Sequence, residues 1–378
     1  MMPPSDTSAA GLKKPTAGAL LQRVRRWVGG TAAGLQPDAD LANDAAGQRP
    51  PAASAPLHLF LDDGLLHLAA GRIVWSTEDA APVSMRLHEL RLVCVHGHAG
   101  ITTPALKALI QAEVPVLWRD AGGRFLGQMV DGSLRGTETR RAQYRAQADA
   151  ACRLAVARTL VQAKIVSQRG LLRRRGADDA TLRQLAGFIP RAAAAETIDA
   201  VMGWEGAAAA AYFGTWDKLG PESHGFAFPG RRRRPPPDPV NAMLSYAYAV
   251  LAGEAVSAAL AAGLDPHAGL LHAERAGRPA LALDLVEPLR PLVADRAVLR
   301  IVNRREVTPD DFEADGNGGV RLSTAARRAL LHAIEARLAE AAPMRPGHDY
   351  RSALFAEAVD LAQALRHATA YACRLVRA

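Results

Sequence analysis

Cysteine is scarce in this chain. The three in 378 residues, Cys94, Cys152 and Cys373, are odd in number and lie in no CxxC or Cys/His zinc spacing. They read as small buried hydrophobes of a reducing compartment, not as a disulfide framework. At 40.1 kDa the chain is long enough to bury a core without covalent staples, and the length favours two domains. Long apolar runs are missing too. No stretch of about 18 uncharged apolar residues stands out, which argues against a spanning helix. Leu20 to Val28 is short and interrupted by arginines, so it reads as an amphipathic or frayed segment and not an export signal. The expectation is a cytoplasmic protein with no membrane partner. Several catalytic fingerprints are absent as well: there is no GxSxG elbow, no GxxxxGK[ST] loop and no HExxH pair. Nucleophilic serine or cysteine schemes therefore rank below metal-assisted phosphoryl transfer, and no fixed-period repeat is visible.

What is present begins with charge. Forty-six Lys and Arg against 38 Asp and Glu give a formal charge of +8 and a pI near 9.8, a balance that suits a polyanion such as nucleic acid. A GC-rich coding sequence produces the same arginine and alanine bias, so charge alone leaves the partner open.

The texture along the chain changes twice. Residues 1–56 are rich in Ala, Gly, Pro, Asp and Ser and bury too little apolar surface to offset ordering entropy, which predicts a disordered or low-complexity extension, with Trp27 and its neighbouring arginines as a possible docking helix. Residues 57–136 carry short β-branched or alternating segments at 57–61, 65–69, 72–76, 90–96, 114–119 and 124–129. Asp63-Gly64 reads as a hairpin turn, and Thr103 as the N-cap of one helix over 105–112. From 137 to 378 the period is helical, predicting helices over 137–175, 179–187, 193–216, 240–262, 280–302, 323–340 and 350–376. The fold class is therefore α+β: a small β-rich N-terminal domain followed by a larger all-α domain. Two interruptions punctuate it. Pro229-Gly230 with Arg231 to Arg234 and Pro235 to Pro237 reads either as a solvated linker or as an arginine-lined path for a strand. Asp315-Gly316-Asn317-Gly318-Gly319 reads as a hairpin or loop tip.

Three separated pieces carry ligand chemistry. Glu205 lies in Gly203-Trp204-Glu205-Gly206, His272 in Gly269-Leu270-Leu271-His272, and Asp284 and Glu287 in Asp284-Leu285-Val286-Glu287. A carboxylate on an apolar helix must be paired, liganded or solvent-facing. Acids three apart on a helix point to one face, and two on a leucine-rich segment are costly without a cation. Alternatives remain for each: a surface glutamate at 205, a hydrogen-bonded structural histidine at 272, and acids suiting a helix N-terminus near Pro288, with Arg290 pairing one of them. Oxygen ligands with one imidazole suit Mg²⁺ or Mn²⁺ better than zinc. Such a set fits an active site that cuts or joins phosphodiester bonds.

Ordered blocks over 57–378 resemble the CRISPR-associated adaptation endonuclease and integrase family (CRISPR-associated protein 1). They are Gly100-Ile101-Thr102, Val114-Pro115-Val116, Ala163-Lys164-Ile165 with Gln168, Glu205-Gly206 with Tyr212-Phe213, Asp238-Pro239-Val240-Asn241-Ala242, Leu244-Ser245-Tyr246-Ala247-Tyr248, Gly263-Leu264-Asp265-Pro266, Gly269 to His272 and Leu283 to Pro291. The resemblance implies that the 57–136 domain dimerises and the helical 137–378 domain is catalytic. It implies that Glu205, His272 and Glu287 are metal ligands, with Asp284 a further catalytic acid in the same pocket and Mg²⁺ or Mn²⁺ as cofactor. It further implies a homodimer, a small dimeric adaptation partner, and double-stranded DNA, both spacer precursor and CRISPR repeat, as substrate. The implied reaction is insertion of spacer DNA into the array by transesterification. The alternative from another class is a non-catalytic basic nucleic-acid-binding scaffold.

Overall fold

The computed structural model describes residues 55–59, 64–78, 80–96, 98–120, 122–129, 136–232, 235–316 and 318–376. The expected extension up to residue 54, the Trp27 segment, Asp63, Arg233, Arg234 and Asn317 lie outside the described residues. The chain divides into two compact units: one runs to Trp118 and takes in Gln128–Asp131, the other comprises Arg119–Gly127 and Gly132–Ala378.

The first unit begins with β1 (Ala55–Leu59), β2 (Leu65–Ala69), β3 (Arg72–Thr77), β4 (Ala80–Met85), β5 (Leu90–Val95) and β6 (Gly100–Ile101). Helix α1 (Thr103–Gln111) follows, then β7 (Val116–Arg119) and β8 (Phe125–Met129), strands whose residues Arg119 and Phe125 to Gly127 count to the second unit. They make two four-stranded sheets, ordered β1-β5-β7-β8 and β4-β3-β2-β6. β5 lies parallel to both β1 and β7. The β2–β3 hairpin turns through Ala70 and Gly71, whose φ angles of 49° and 71° give the two left-handed residues that match strand twist. Alternation sends Leu57, Leu59, Val93 and Val95 inward, where they pack with Leu66, Ile73, Trp75 and Leu109. The N-cap of α1 is Thr102, one residue before the expected Thr103. Its extended backbone (φ −75°, ψ 149°) lets the side chain accept from Ala105 N, while Thr103 already has a place in the helix.

In the second unit the predicted 137–175 helix is two helices, α2 (Thr137–Ala148) and α3 (Ala150–Arg174). Asp149 parts them: its backbone is extended (φ −88°, ψ 110°), and its carboxylate accepts from Ala151 N at 2.8 Å and Cys152 N at 3.3 Å. An N-cap bond of this kind stabilises a helix start by about 1 kcal/mol. Next come α4 (Asp179–Ala194), α5 (Ile198–Phe213) and α6 (Pro239–Ala261). Asp238 caps α6 by accepting from Asn241 N at 2.8 Å, and Pro239 stands at N1, where its missing N–H costs nothing. An 18-residue window of α6 has a mean hydropathy of 1.4, yet 78% of it is buried inside the protein, so this is the central core helix.

The predicted 280–302 helix is divided into α7 (Ala280–Val286), a π-helical turn at Arg290–Ala294 and α8 (Asp295–Asn303). Pro288 and Pro291 remove two amide donors there, which breaks the regular ladder. The unit is not all-α. An antiparallel hairpin, β9 (Phe312–Ala314) with β10 (Val320–Leu322), flanks the Asp315-Gly316 tip, ahead of α9 (Thr324–Leu338) and α10 (Tyr350–His367). α10 ends short of the expected 376, because Ala368 takes the left-handed conformation at φ 52°. Val156, Leu160, Val161, Ile165, Leu171 and Leu172 on α3 are buried. Each stabilises the unit by about 1.5–3 kcal/mol through removal of apolar surface from water.

Candidate active site

Helix α3 brings one charge into its apolar stripe. Lys164 follows Leu160 and Val161 by one turn and is buried with them, so its ammonium requires counter-charges. It finds two. Nζ pairs with Glu205 Oε1 from α5 and lies 2.6 Å from Glu287 Oε2. That second contact joins two buried, oppositely charged groups at 6% and 2% side-chain exposure.

Glu287 caps α7 and also lies 3.7 Å from His272 Nε2 and 3.2 Å from Arg290. Burial pushes its carboxyl up, but Arg290, Lys164 and His272 outweigh burial and hold it down at about 2. It is an anion throughout the range in which the protein would work. Arg290 in turn lies over the Tyr248 ring, 4.7 Å from its centroid.

Asp284 is fully buried and holds the loop that carries His272. Its Oδ2 accepts from Leu270 N at 2.7 Å and Leu271 N at 3.0 Å, and its Oδ1 accepts from His272 N at 3.0 Å. Oδ1 also lies 2.7 Å from His272 Nδ1. A carboxylate that accepts this many N–H groups makes Nδ1 the donor, and Nε2 faces Glu287. The turn requires Gly269: a Cβ there would sit 2.7 Å from both Ala280 Cβ and His272 O. The loop therefore has little room to move the imidazole.

The structure thus brings Glu205, His272, Asp284 and Glu287 around one locus. Glu205 and His272 also line an open cleft of about 820 Å³. Arg153, Arg275 and Arg278 stand on its wall, with Glu196 and Asp199 opposite them in charge. Among the described residues, Arg231 of the arginine run is turned inward, donating to Asn241 Oδ1 at 2.8 Å and Ser245 Oγ at 3.1 Å. It serves packing rather than an open strand path. Asp284 has both oxygens committed to the loop, so it positions the imidazole instead of offering a ligand. Replacing it with Asn puts an amide against these N–H groups. Asp284→Asn is expected to cost about 1–3 kcal/mol, the penalty of buried groups left without their partner, measured by urea unfolding together with faster amide exchange at Leu270, Leu271 and His272.

Sequence reasoning names Lys164 only within a family block, without a role, and does not name Asp295. The signal for Lys164 was a lone cation in a buried stripe. Asp295 accepts from Tyr212 Oη at 2.8 Å and Tyr248 Oη at 2.6 Å. Burial pushes its carboxyl from 3.8 up to about 6, against the opposing pull of the two tyrosines and Arg290. A raised acid gives stability that is fully present below the unfolded value of 3.8 and is lost as pH rises through 6. Asp295→Asn should therefore cost more stability in acid: relative to pH 8, about 1 kcal/mol more at pH 5 and about 2 kcal/mol more at pH 4. Urea unfolding of both proteins at the three pH values measures it.

Comparison with known proteins follows the same lines. The family model for the CRISPR associated protein Cas1 matches residues 57–336. A CRISPR-associated exonuclease Cas4/endonuclease Cas1 fusion of Rhodospirillum rubrum is 45% identical over 275 residues, covering 70% of this chain and 47% of the relative. A second such fusion, of Geobacter sulfurreducens, is 40% identical, with 70% of this chain and 50% of the relative covered; the chain spans about half the length of these fusions. The CRISPR-associated endonuclease Cas1 1 of Moorella thermoacetica is 34% identical, covering 75% of this chain and 86% of that protein. Among solved structures, a Cas1 protein from Thermotoga maritima superposes with a TM-score of 0.71 at 24% identity, covering 82% and 96% of the two chains. A casposase bound to integration product gives 0.73 at 23%, covering 85% and 93%. Both show a shared mixed α and β fold.

Proposed function

The chain belongs to the Cas1 family of CRISPR-associated proteins, and from that membership we propose that it is a divalent-metal-dependent DNA endonuclease and integrase that inserts spacer DNA into a CRISPR array. The observation that carries the reading is the placing of Glu205 and Glu287 on either side of Lys164, with His272 against Glu287, beside a cleft whose wall bears three arginines. The donors fit a hard cation. Two carboxylates and one imidazole Nε2 are an oxygen-rich set, which suits Mg²⁺ or Mn²⁺ over zinc, and the Lys164 ammonium between the two carboxylates marks the place of a positive charge. Bound there, the ion supplies Lewis-acid stabilisation of charge on the scissile phosphate.

The chain's own residues do the rest. Asp284 fixes the His272 tautomer and ring. Lys164 balances Glu205 and Glu287, so two acids can share a buried locus without mutual repulsion. Arg153, Arg275 and Arg278 offer forked donors to the phosphates of a strand in the cleft. In the reaction a 3′-hydroxyl oxygen attacks phosphorus at a repeat boundary, the bond to the opposite 3′-oxygen breaks in line, and that leaving oxygen takes up a proton. The domain roles form part of the proposal: residues 57–136 as the dimerising domain and 137–378 as the catalytic one. A solved Cas6-RT-Cas1–Cas2 complex has a chain that matches this one at 25% identity and TM-score 0.71, over 87% of this chain and 37% of its own length. That likeness supports a partner of the Cas2 kind; a homodimer of this chain and a small dimeric form of that partner are further parts of the proposal.

The test is strand transfer of a short duplex into a supercoiled plasmid bearing a repeat array. Mn²⁺ or Mg²⁺ should support it, EDTA should abolish it, and a duplex ending in 3′-deoxy sugars should give no product. DNA binding that persists while no metal yields joined or nicked DNA would favour a basic scaffold instead.

A further inference from the structure

The first unit holds a second group of donors, of softer chemistry, that the proposed reaction does not use. β1 and β5 run parallel with His58 opposite Cys94 in register. Side chains along a strand alternate between faces, so His96, two residues beyond Cys94, shares its face. The ladder continues far enough to fix it there, because His96 N donates to Leu59 O at 2.8 Å. The flanking Leu57, Leu59, Val93 and Val95 point the other way into the apolar core. His58, Cys94 and His96 are thus the polar positions of one sheet face, with His58 and Cys94 buried and His96 half-buried.

Their ligand atoms converge. His58 Nδ1 lies 2.9 Å from His96 Nε2, the ring centroids are 5.2 Å apart, and one donor atom from each of the three residues falls within 4.8 Å of the others. The bland account is an imidazole pair sharing a proton beside a buried thiol. That account leaves unexplained why a thiol and two imidazole nitrogens, three borderline-soft donors, meet at one point on neighbouring strands.

We propose that His58, Cys94 and His96 bind a zinc-class transition metal ion that ties β1 to β5, separately from the acid-rich pocket. Two nitrogens and one sulfur match Zn²⁺ and disfavour Mg²⁺ or Mn²⁺. Binding balances simply. The imidazoles ligate through lone pairs, so the proton shared between His58 Nδ1 and His96 Nε2 moves to another ring nitrogen. The Cys94 thiol proton leaves to solvent, giving one net proton released per ion. Nothing is oxidised or reduced.

The experiment uses the full chain with Zn²⁺ alone as probe, and Co²⁺ as its coloured substitute. A Glu205→Gln/His272→Ala double variant serves as background, so that the acid pocket does not compete. One equivalent of Zn²⁺ should bind, with affinity rising about tenfold per pH unit where the thiol is protonated. Co²⁺ should give a thiolate charge-transfer band. That band should vanish in Cys94→Ser and persist in Cys152→Ser and Cys373→Ser. His96→Gln, at a half-buried position that keeps the protein foldable, should weaken Zn²⁺ at least about tenfold, since a direct ligand matters no less than an outer-shell partner. A Co²⁺ complex with no thiolate band, a band that survives Cys94→Ser, or unchanged affinity in His96→Gln would each overturn the site. Far-UV circular dichroism on every variant separates loss of ligand from loss of fold. Failure of this test leaves the DNA reaction untouched, because the two sites share no residue.

Discussion

His272→Ala is expected to lower metal-dependent strand transfer at least about a thousandfold, equivalent to roughly 4 kcal/mol of transition-state stabilisation. Glu205→Gln is expected to do the same. The two together are the cleanest probes of the pocket, for a reason visible in the charges. Glu287 is buried between Lys164 and Arg290, so neutralising it strands two buried cations, and any activity loss is mixed with unfolding. His272 is partly exposed, with its Nε2 facing the pocket, and Glu205 is the more accessible acid at 22% side-chain exposure. Their removal asks less of the fold. The measurement is single-turnover strand transfer across a Mn²⁺ titration, alongside duplex binding in EDTA. Rates should collapse while EDTA-measured affinity stays within about twofold, since phosphate contacts dominate that affinity. Wild-type rates in both variants would remove the pocket from the reaction.

How much of this was legible beforehand depended on which interactions are local. The helices of the second unit announced themselves by period, since burial of one face is written every three or four residues. The breaks within them were not read correctly. Asp149 looks like any polar residue of an amphipathic helix until its carboxylate is seen capping the next one, and Pro288 signals a helix start or kink nearby without showing that the 280–302 helix is divided. The Asp315 to Gly319 segment is legible as a hairpin or loop tip, and the structure makes it a hairpin, but strands of three residues carry too little alternation to be placed from sequence. At the site, the ligand types at 205, 272 and 287 were readable as chemistry, and their grouping came through a family likeness. What held them was not readable. Asp284's contacts with three successive backbone amides, and Lys164's place between two acids from distant segments, are tertiary facts. The His58, Cys94 and His96 cluster was passed over for the same reason. Cys94 was judged by sequence spacing, where its nearest partner is two residues away, while the decisive neighbour, His58, is adjacent only across a parallel ladder.

Glu254→Gln should be strongly destabilising, costing about 3–5 kcal/mol. Glu254 is buried on α6 at 1% exposure and meets two arginines. Arg351 donates through Nε to its Oε2 at 2.9 Å, and Arg119 approaches its Oε1 at 3.7 Å. Arg351 also donates to both oxygens of Glu335, at 2.8 and 2.7 Å. Burial alone would lower the Arg351 guanidinium, but Glu254 and Glu335 outweigh it and hold it well above its ordinary value. The backbone is shaped for the cluster, since a Cβ at Gly253 would fall 2.6 Å from the Arg119 guanidinium. Neutralising Glu254 keeps its volume and removes the charge that both arginines face. The cost is therefore desolvated charge, not a cavity, and it should appear as a melting temperature lower by roughly 10 °C. Arg351→Lys supplies the graded comparison. It retains the charge near Glu254 while losing the two-pronged bond to Glu335, so its cost should be smaller, about 1–2 kcal/mol. If the two variants melt together, geometry and not charge governs the cluster. The same helix carries Tyr248, which donates to Asp295 and underlies Arg290 beside Glu287. Activity of Glu254→Gln should accordingly fall along its own melting curve and stay near wild type well below it, which separates a structural residue from those that handle the phosphate.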